Sequence, residues 1–202
     1  MTMNNKEQDF IQSMIVEAVE ELAPAKGIVG VAPVSCGAFL YEGFDFDFCQ
    51  SVPGCAPAVA SGIKRVRPDA LVFTYQNAVD LAAAGVSEAI HAANRGENIS
   101  IVFANNGSVG LDGTADSRIK VSELLSGLKR PVYINRVLAS ENDRETAKKA
   151  IKNAFKLQLE GKGFSLVEIL FNDADEDSQE FKSMLEELPV RVFRDTCGIE
   201  KA

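Results

Sequence analysis

Residues 71–106, LVFTYQNAVDLAAAGVSEAIHAANRGENISIVFANN, decide the fold. Their first six, Leu71 to Gln76, form a short apolar run rich in β-branched and aromatic side chains, which reads as a buried strand. Asp80 to Asn94 is rich in alanine, the residue that loses least on entering a helix, and Arg95-Gly96 supplies the stop. Ile99 to Ala104 is a second apolar strand, and it breaks off abruptly at Asn105-Asn106-Gly107. Two strands with no polar face, joined by a helix, predict parallel pairing in a sheet covered on both sides.

The same alternation continues in both directions. Upstream, apolar residues recur every three or four positions from Gln8 to Leu22, an amphipathic helix. Gly27 to Val34 follows as a strand, and Ala56 to Val66 as a helix that tolerates Pro57 in its first turn. Downstream, Val132 to Arg136 reads as a strand. A helix spans Asn142 to Leu159, with Asn142 and Glu145 at capping-box spacing. Phe164 to Phe171 is a strand, Ser178 to Leu185 a short helix, and Val190 to Phe193 a last strand. The predicted class is α/β in three layers, with a mostly parallel central sheet flanked by helices. At 202 residues, one domain over residues 1–202 is expected.

Lys plus Arg number 21 against 29 Asp plus Glu, a net charge of −8. Such a field disfavours nucleic acid as a partner. The basic groupings Lys64-Arg65-Val66-Arg67 and Lys148-Lys149 with Lys152 read as solvated helix faces, and acidic Asp173 to Asp177 as a solvated loop. No run approaches the ~18 apolar residues of a membrane-spanning helix, and no secretory signal opens the chain, so a cytoplasmic location is expected. Cys36, Cys49, Cys55 and Cys197 are too few and too irregular for a disulfide scaffold; reduced thiols are expected. A three-thiol redox or metal site of Cys36, Cys49 and Cys55 is the alternative. The single histidine, His91, lies mid-helix and reads as structural.

In an open parallel sheet, ligands gather at the carboxyl ends of the strands. The segments that qualify are Pro33 to Gly37, the Gly54 region, Gln76 to Asp80 and Asn105 to Asp116. Residues 49–106, CQSVPGCAPAVASGIKRVRPDALVFTYQNAVDLAAAGVSEAIHAANRGENISIVFANN, resemble the thiamine-diphosphate-binding β subunit of the 2-oxoacid:ferredoxin oxidoreductases, of the 2-oxoglutarate or branched 2-oxoacid type. VGVAPVSCGAF before them and GKGFSLVEIL after them extend the resemblance over most of the chain. It implies the thiamine-diphosphate-binding fold, and oxidative decarboxylation of a 2-oxoacid to an acyl-CoA with electrons leaving for ferredoxin. It also implies association with a second copy or with a companion α- or γ-type subunit.

The resemblance also assigns site positions, and most carry the wrong chemistry. The family's Gly-Asp-Gly-Asp falls on Asn77, Ala78, Val79 and Asp80, so alanine stands where a carboxylate holds Mg²⁺. Asn106 and the carbonyl of Ser108 match the family's other metal ligands. Val109 and Asp112 replace a tyrosine and a threonine beside the diphosphate; one such carboxylate–phosphate pair at ~4 Å repels by roughly 4 kcal/mol at an effective dielectric near ~20. Ile119 arrives where the family has a longer loop. Pro53-Gly54-Cys55-Ala56-Pro57 lacks the family's substrate-side His and Arg. Met3, Lys6 and Gln8 stand where cluster cysteines and a histidine would be. The vestigial cofactor positions are Cys36, Gly37, Asn77, Asp80, Asn106 and Ser108, with no catalytic residue, no metal ligand and no cofactor expected. The leading expectation is a degenerate, noncatalytic β-type subunit acting by association. Its rival is a working subunit whose rebuilt site binds thiamine diphosphate and Mg²⁺.

Overall fold

The computed structural model of the chain describes residues 5–34, 45–107, 119–171 and 179–201. The chain runs α1 (Asn5–Leu22), β1 (Ile28–Pro33), β2 (Asp47–Ser51), α2 (Ala56–Val66) and β3 (Leu71–Asn77). A π-helical segment (Val79–Gly85) then leads into α3 (Val86–Arg95), followed by β4 (Ser100–Asn105), α4 (Val121–Ser126) and β5 (Tyr133–Leu138). α5 (Arg144–Leu159), β6 (Ser165–Leu170), α6 (Gln179–Glu187), β7 (Arg191–Asp195) and a 3₁₀ turn (Ile199–Lys201) complete it.

The seven strands form one sheet in the order β2-β1-β3-β4-β6-β5-β7. All pairs are parallel except β5–β7, which is antiparallel and carries an irregularity at Ile134/Asn135. The predicted mostly parallel three-layer architecture is what forms. On one face α1 and α5 bury Ile11, Met14, Ile15, Ile151 and Phe155 against Leu71, Phe73, Tyr75 and Val102. On the other, α2, α3 and α4 cover Val31, Val72, Ile101, Phe103 and Leu166. Each such fully buried side chain contributes about 1.5–3 kcal/mol, which is why the strands can be apolar on both faces. At the amino edge, buried Gln158 of α5 stands in for a neighbouring strand: its amide accepts from Val72 N at 2.7 Å and donates to Val72 O at 2.6 Å.

Several expectations are corrected. β2 was not expected; DFCQS has too few apolar residues to announce a strand, and it forms because β1 offers an open edge. The helix expected over Asp80–Asn94 begins earlier and is π-wound through Gly85. The capping box of Asn142 and Glu145 does not form. Asp143 takes the N-cap position, the Ser140 hydroxyl accepts from Asp143 N at 3.2 Å and donates to its carboxylate at 2.6 Å, and Glu145 instead pairs with Lys148 at 2.9 Å. The basic groupings are not simply solvated. Lys64 is buried and donates to Ala70 O at 2.6 Å, tying down the end of α2. Lys148 and Lys152 join Arg144 in a clasp with Glu17 and Glu21 of α1. His91 is exposed and serves no core role. Asp173 to Asp177 and Met3 lie outside the described residues.

The clasp has a pH signature. Hydrogen bonds from Arg144, against the opposing effect of burial and with further help from Lys148, hold the Glu17 carboxyl down to about 2 from 4.5. A depressed folded value stabilises above the unfolded value and loses that effect as pH falls toward 2. Because Glu17 is more than a third exposed, solvent screening limits its contribution to roughly 0.3–1 kcal/mol. Urea midpoints should therefore be lower for Glu17→Gln than for the parent at pH 6, and the two should converge by pH 2; a constant gap would refute this assignment.

Candidate functional site at the carboxyl edge

The chain leaves β1 for β2 at one edge and returns to β3 on the other side of β1, so strand order reverses between β1 and β3. Such a switch point opens a crevice at the carboxyl ends, because the two connections diverge there. Register places the exits level: Pro33 beside Ser51, Asn77 beside Ala104, and Asn105 beside Leu170. The structure thus brings Asn77, Asp80 and Asn106 to one edge of the sheet. Cys36, Gly37, Ser108, Val109 and Asp112 lie outside the described residues.

Each described position has a local role. Asn77 caps the helix that follows β3, its Oδ1 accepting from Asp80 N at 2.9 Å. Ala78 is 1% exposed and belongs to the apolar cluster beneath α2 and α3. Asp80 is fully buried in the π-helical turn. Asn105 accepts from Gly107 N at 2.9 Å and donates to Glu168 at 2.7 Å, so the turn carrying Asn106 is fixed from behind.

The β2–α2 turn closes the other side of the crevice. Cys55 is the N-cap of α2 with no side-chain cap bond, and Pro57 occupies the first turn as expected. Gly54 has φ +81°, and a Cβ there would lie 2.7 Å from Ala84 O; a Cβ on Gly85 would lie 2.6 Å from Asp80 O and 3.0 Å from Gly54 O. The turn and the π segment therefore meet backbone to backbone, an approach that only glycine at both positions permits. Cys49 and Cys55 are free thiols, and Cys36 lies outside the described residues, so no three-thiol site is described.

A Mg²⁺–diphosphate pair needs several hard oxygen ligands, carboxylates first among them. The described residues do not fit it. Ala78 turns a methyl group into an apolar cluster, and the Asn77 amide oxygen is committed to a cap. Among the described residues, no three His, Cys, Asp or Glu side chains converge as a metal site. Ser51 Oγ and Gln76 Nε2 are buried at this edge without a hydrogen-bond partner, but so is Ser165 Oγ at the opposite edge, so orphaned groups do not single out the crevice.

Sequence reasoning missed the most highly charged buried feature beside the site. Glu168 and Arg136 are both wholly buried and paired at 2.9 Å. VEIL and NRVL announce only strands; one charged residue in each apolar run was the available signal.

Comparison with known proteins finds relatives and structures of the same fold. Ketoisovalerate oxidoreductase subunit VorA of Methanothermobacter thermautotrophicus is 36% identical over 92% of this chain and 46% of its own length. The 2-oxoglutarate synthase subunit KorB of Archaeoglobus fulgidus is 26% identical over 80% of this chain and 65% of its own. The chain is thus similar to VorA and KorB subunits of 2-oxoacid oxidoreductases. It spans about half the length of the VorA relatives. The 2-oxoglutarate:ferredoxin oxidoreductase of Magnetococcus marinus superposes with a TM-score of 0.74 at 20% identity, covering 89% of this chain and 67% of that one. Structures sharing this fold include thiamin diphosphate-dependent enzymes, so the VorA/KorB-like chain has their α/β architecture. No family model matches the sequence.

Proposed function

We propose that this VorA/KorB-like chain is a noncatalytic β-type subunit of a cytoplasmic 2-oxoacid:ferredoxin oxidoreductase assembly. In this reading it keeps the thiamine-diphosphate fold and a docking role but does not hold that cofactor through Mg²⁺ in the family's manner. The observation that carries it is Ala78: the position that the resemblance gives to a metal-binding carboxylate is a methyl group packed into the core. Among the described residues, the methyl group of Ala78 and the neutral amide of Asn106 offer a divalent cation no anionic ligand, and the Asp80 carboxylate is buried in the π-helical turn. The partner would be a second copy or a companion α- or γ-type subunit.

The rival reading keeps the reaction. Asp80 and Asn106 remain at the edge, and a partner's residues would complete a site for thiamine diphosphate and Mg²⁺. Calorimetric titration of the purified chain, and of the chain co-expressed with its companion, separates the two. The proposal expects no saturable heat with millimolar Mg²⁺ and thiamine diphosphate in either case, and a co-purifying subunit on affinity capture. Micromolar saturable binding would overturn the noncatalytic reading, and capture of no companion together with a monomeric mass would overturn the docking role.

A further inference from the structure

Glu168 ties together three elements. Its Oε1 accepts from Asn105 Nδ2 on β4 at 2.7 Å, and its Oε2 accepts from Arg136 Nε on β5 at 2.9 Å and from the Ser122 hydroxyl on α4. Arg136 extends the chain of contacts outward. Its terminal nitrogens donate to Glu123 at 2.9 and 2.5 Å and to Pro189 O at 3.3 Å, and its guanidinium lies 4.7 Å from the Phe193 ring centre on β7. In the other direction, Asn105 Oδ1 accepts from Gly107 N at 2.9 Å. An unbroken path of direct contacts runs from edge strand β7 to the turn that presents Asn106.

The chemistry of the path gives it a direction. A carboxylate only accepts hydrogen bonds, so Glu168 forces Asn105 to turn its NH₂ inward and its oxygen toward Gly107 N. A neutral amide at 168 has one oxygen for two donors: giving it to Arg136 Nε would turn its NH₂ toward Asn105, which would then have to swing its own oxygen away from Gly107 N. Arg136, whose donors have a fixed planar spread, holds Glu168 in that role and is itself seated by Phe193 and Pro189. Buried networks of this kind tolerate few arrangements, because each unpaired member costs its full desolvation.

We propose that Glu168 and Arg136 are positioning residues that set the conformation of the Asn105–Gly107 turn from the β7 edge of the sheet, whatever Asn106 engages. Anything that docks on or displaces β7 then alters the turn, and anything that grips the turn alters β7, since such coupling is reciprocal.

The test follows the Gly107 amide and the Asn105 side-chain NH₂ by NMR in the full-length chain. Phe193→Ala touches neither group, yet hydrogen exchange at Gly107 should quicken at least threefold and the Asn105 resonances should move. Phe193→Tyr, which keeps an aromatic face under Arg136, should return both to parental values. Glu168→Gln should produce the same changes with tenfold or greater effect on exchange. Gly107 and Asn105 signals indifferent to Phe193→Ala would overturn the proposal even if that variant melts at lower temperature, as would failure of Phe193→Tyr to rescue them.

Discussion

Replacing Arg136 by methionine is expected to cost about 3–5 kcal/mol of stability, the range for removing one member of a buried ion pair. Burial disfavours the Arg136 charge, but its hydrogen bonds to Glu123 and the field of Glu168 more than offset it, and the guanidinium is held above its ordinary pKa. Glu123 shows the converse: burial pushes its carboxyl up, while Arg136 holds it below the usual range. When the guanidinium goes, Glu123 can turn to water because it is partly exposed, whereas Glu168 cannot. The cost therefore falls on Glu168, left with Asn105 and Ser122 as its donors. With a denaturant slope near ~2 kcal/mol/M, the urea midpoint should drop by roughly 1.5–2.5 M. Adding Glu168→Gln to the same chain removes the stranded charge and should recover at least half of the loss. A double variant as unstable as the single would show that the lost packing of the long side chain, and not the orphaned carboxylate, sets the cost.

The contrast between this pair and the rest of the molecule explains what could be read in the sequence. Apolar period decides element type where an element is packed on both sides, so LVFTYQ, SIVFAN and SLVEIL declare themselves. β2 does not, because an edge strand is held by one neighbour's backbone and needs little apolar content of its own. β7 is legible as a strand, but its antiparallel direction follows from how the chain returns after α6 and not from the side chains of RVFRD. The site was legible as a place, since strand ends and a reversal of order locate a crevice, and its individual positions came from family resemblance. What joins the positions was not legible: the Gly54–Gly85 approach and the Asn105–Glu168–Arg136 path each pair residues far apart in sequence. Neither a glycine nor a lone charge in an apolar run names its partner.

Ala78→Asp puts a carboxylate back where the resemblance places the family's metal ligand, and its outcome separates a latent site from a dismantled one. Position 78 is shielded from water and surrounded by Ala56, Leu81 and other apolar side chains, so the new group must either desolvate its charge or stay protonated. The expected loss is on the order of 3–4 kcal/mol at neutral pH, visible as a fall in Tm of roughly 6–16 °C for a chain of this size. Burial raises the folded pKa of such an aspartate above its unfolded value. The folded state then binds the extra proton, and the penalty shrinks as pH falls toward ~4 and grows as pH rises through the raised value. A competent metal cradle would reverse this: Mg²⁺ would compensate the charge, and millimolar Mg²⁺ with thiamine diphosphate would raise the variant's Tm above that of the untreated variant. With Asn77 committed to the helix cap and no second carboxylate described as facing position 78, no such rescue is expected. A thermal shift that depends on both ligands together in Ala78→Asp would mean that one side chain separates this subunit from a cofactor-binding one, and the noncatalytic reading would then rest on a single reversible substitution.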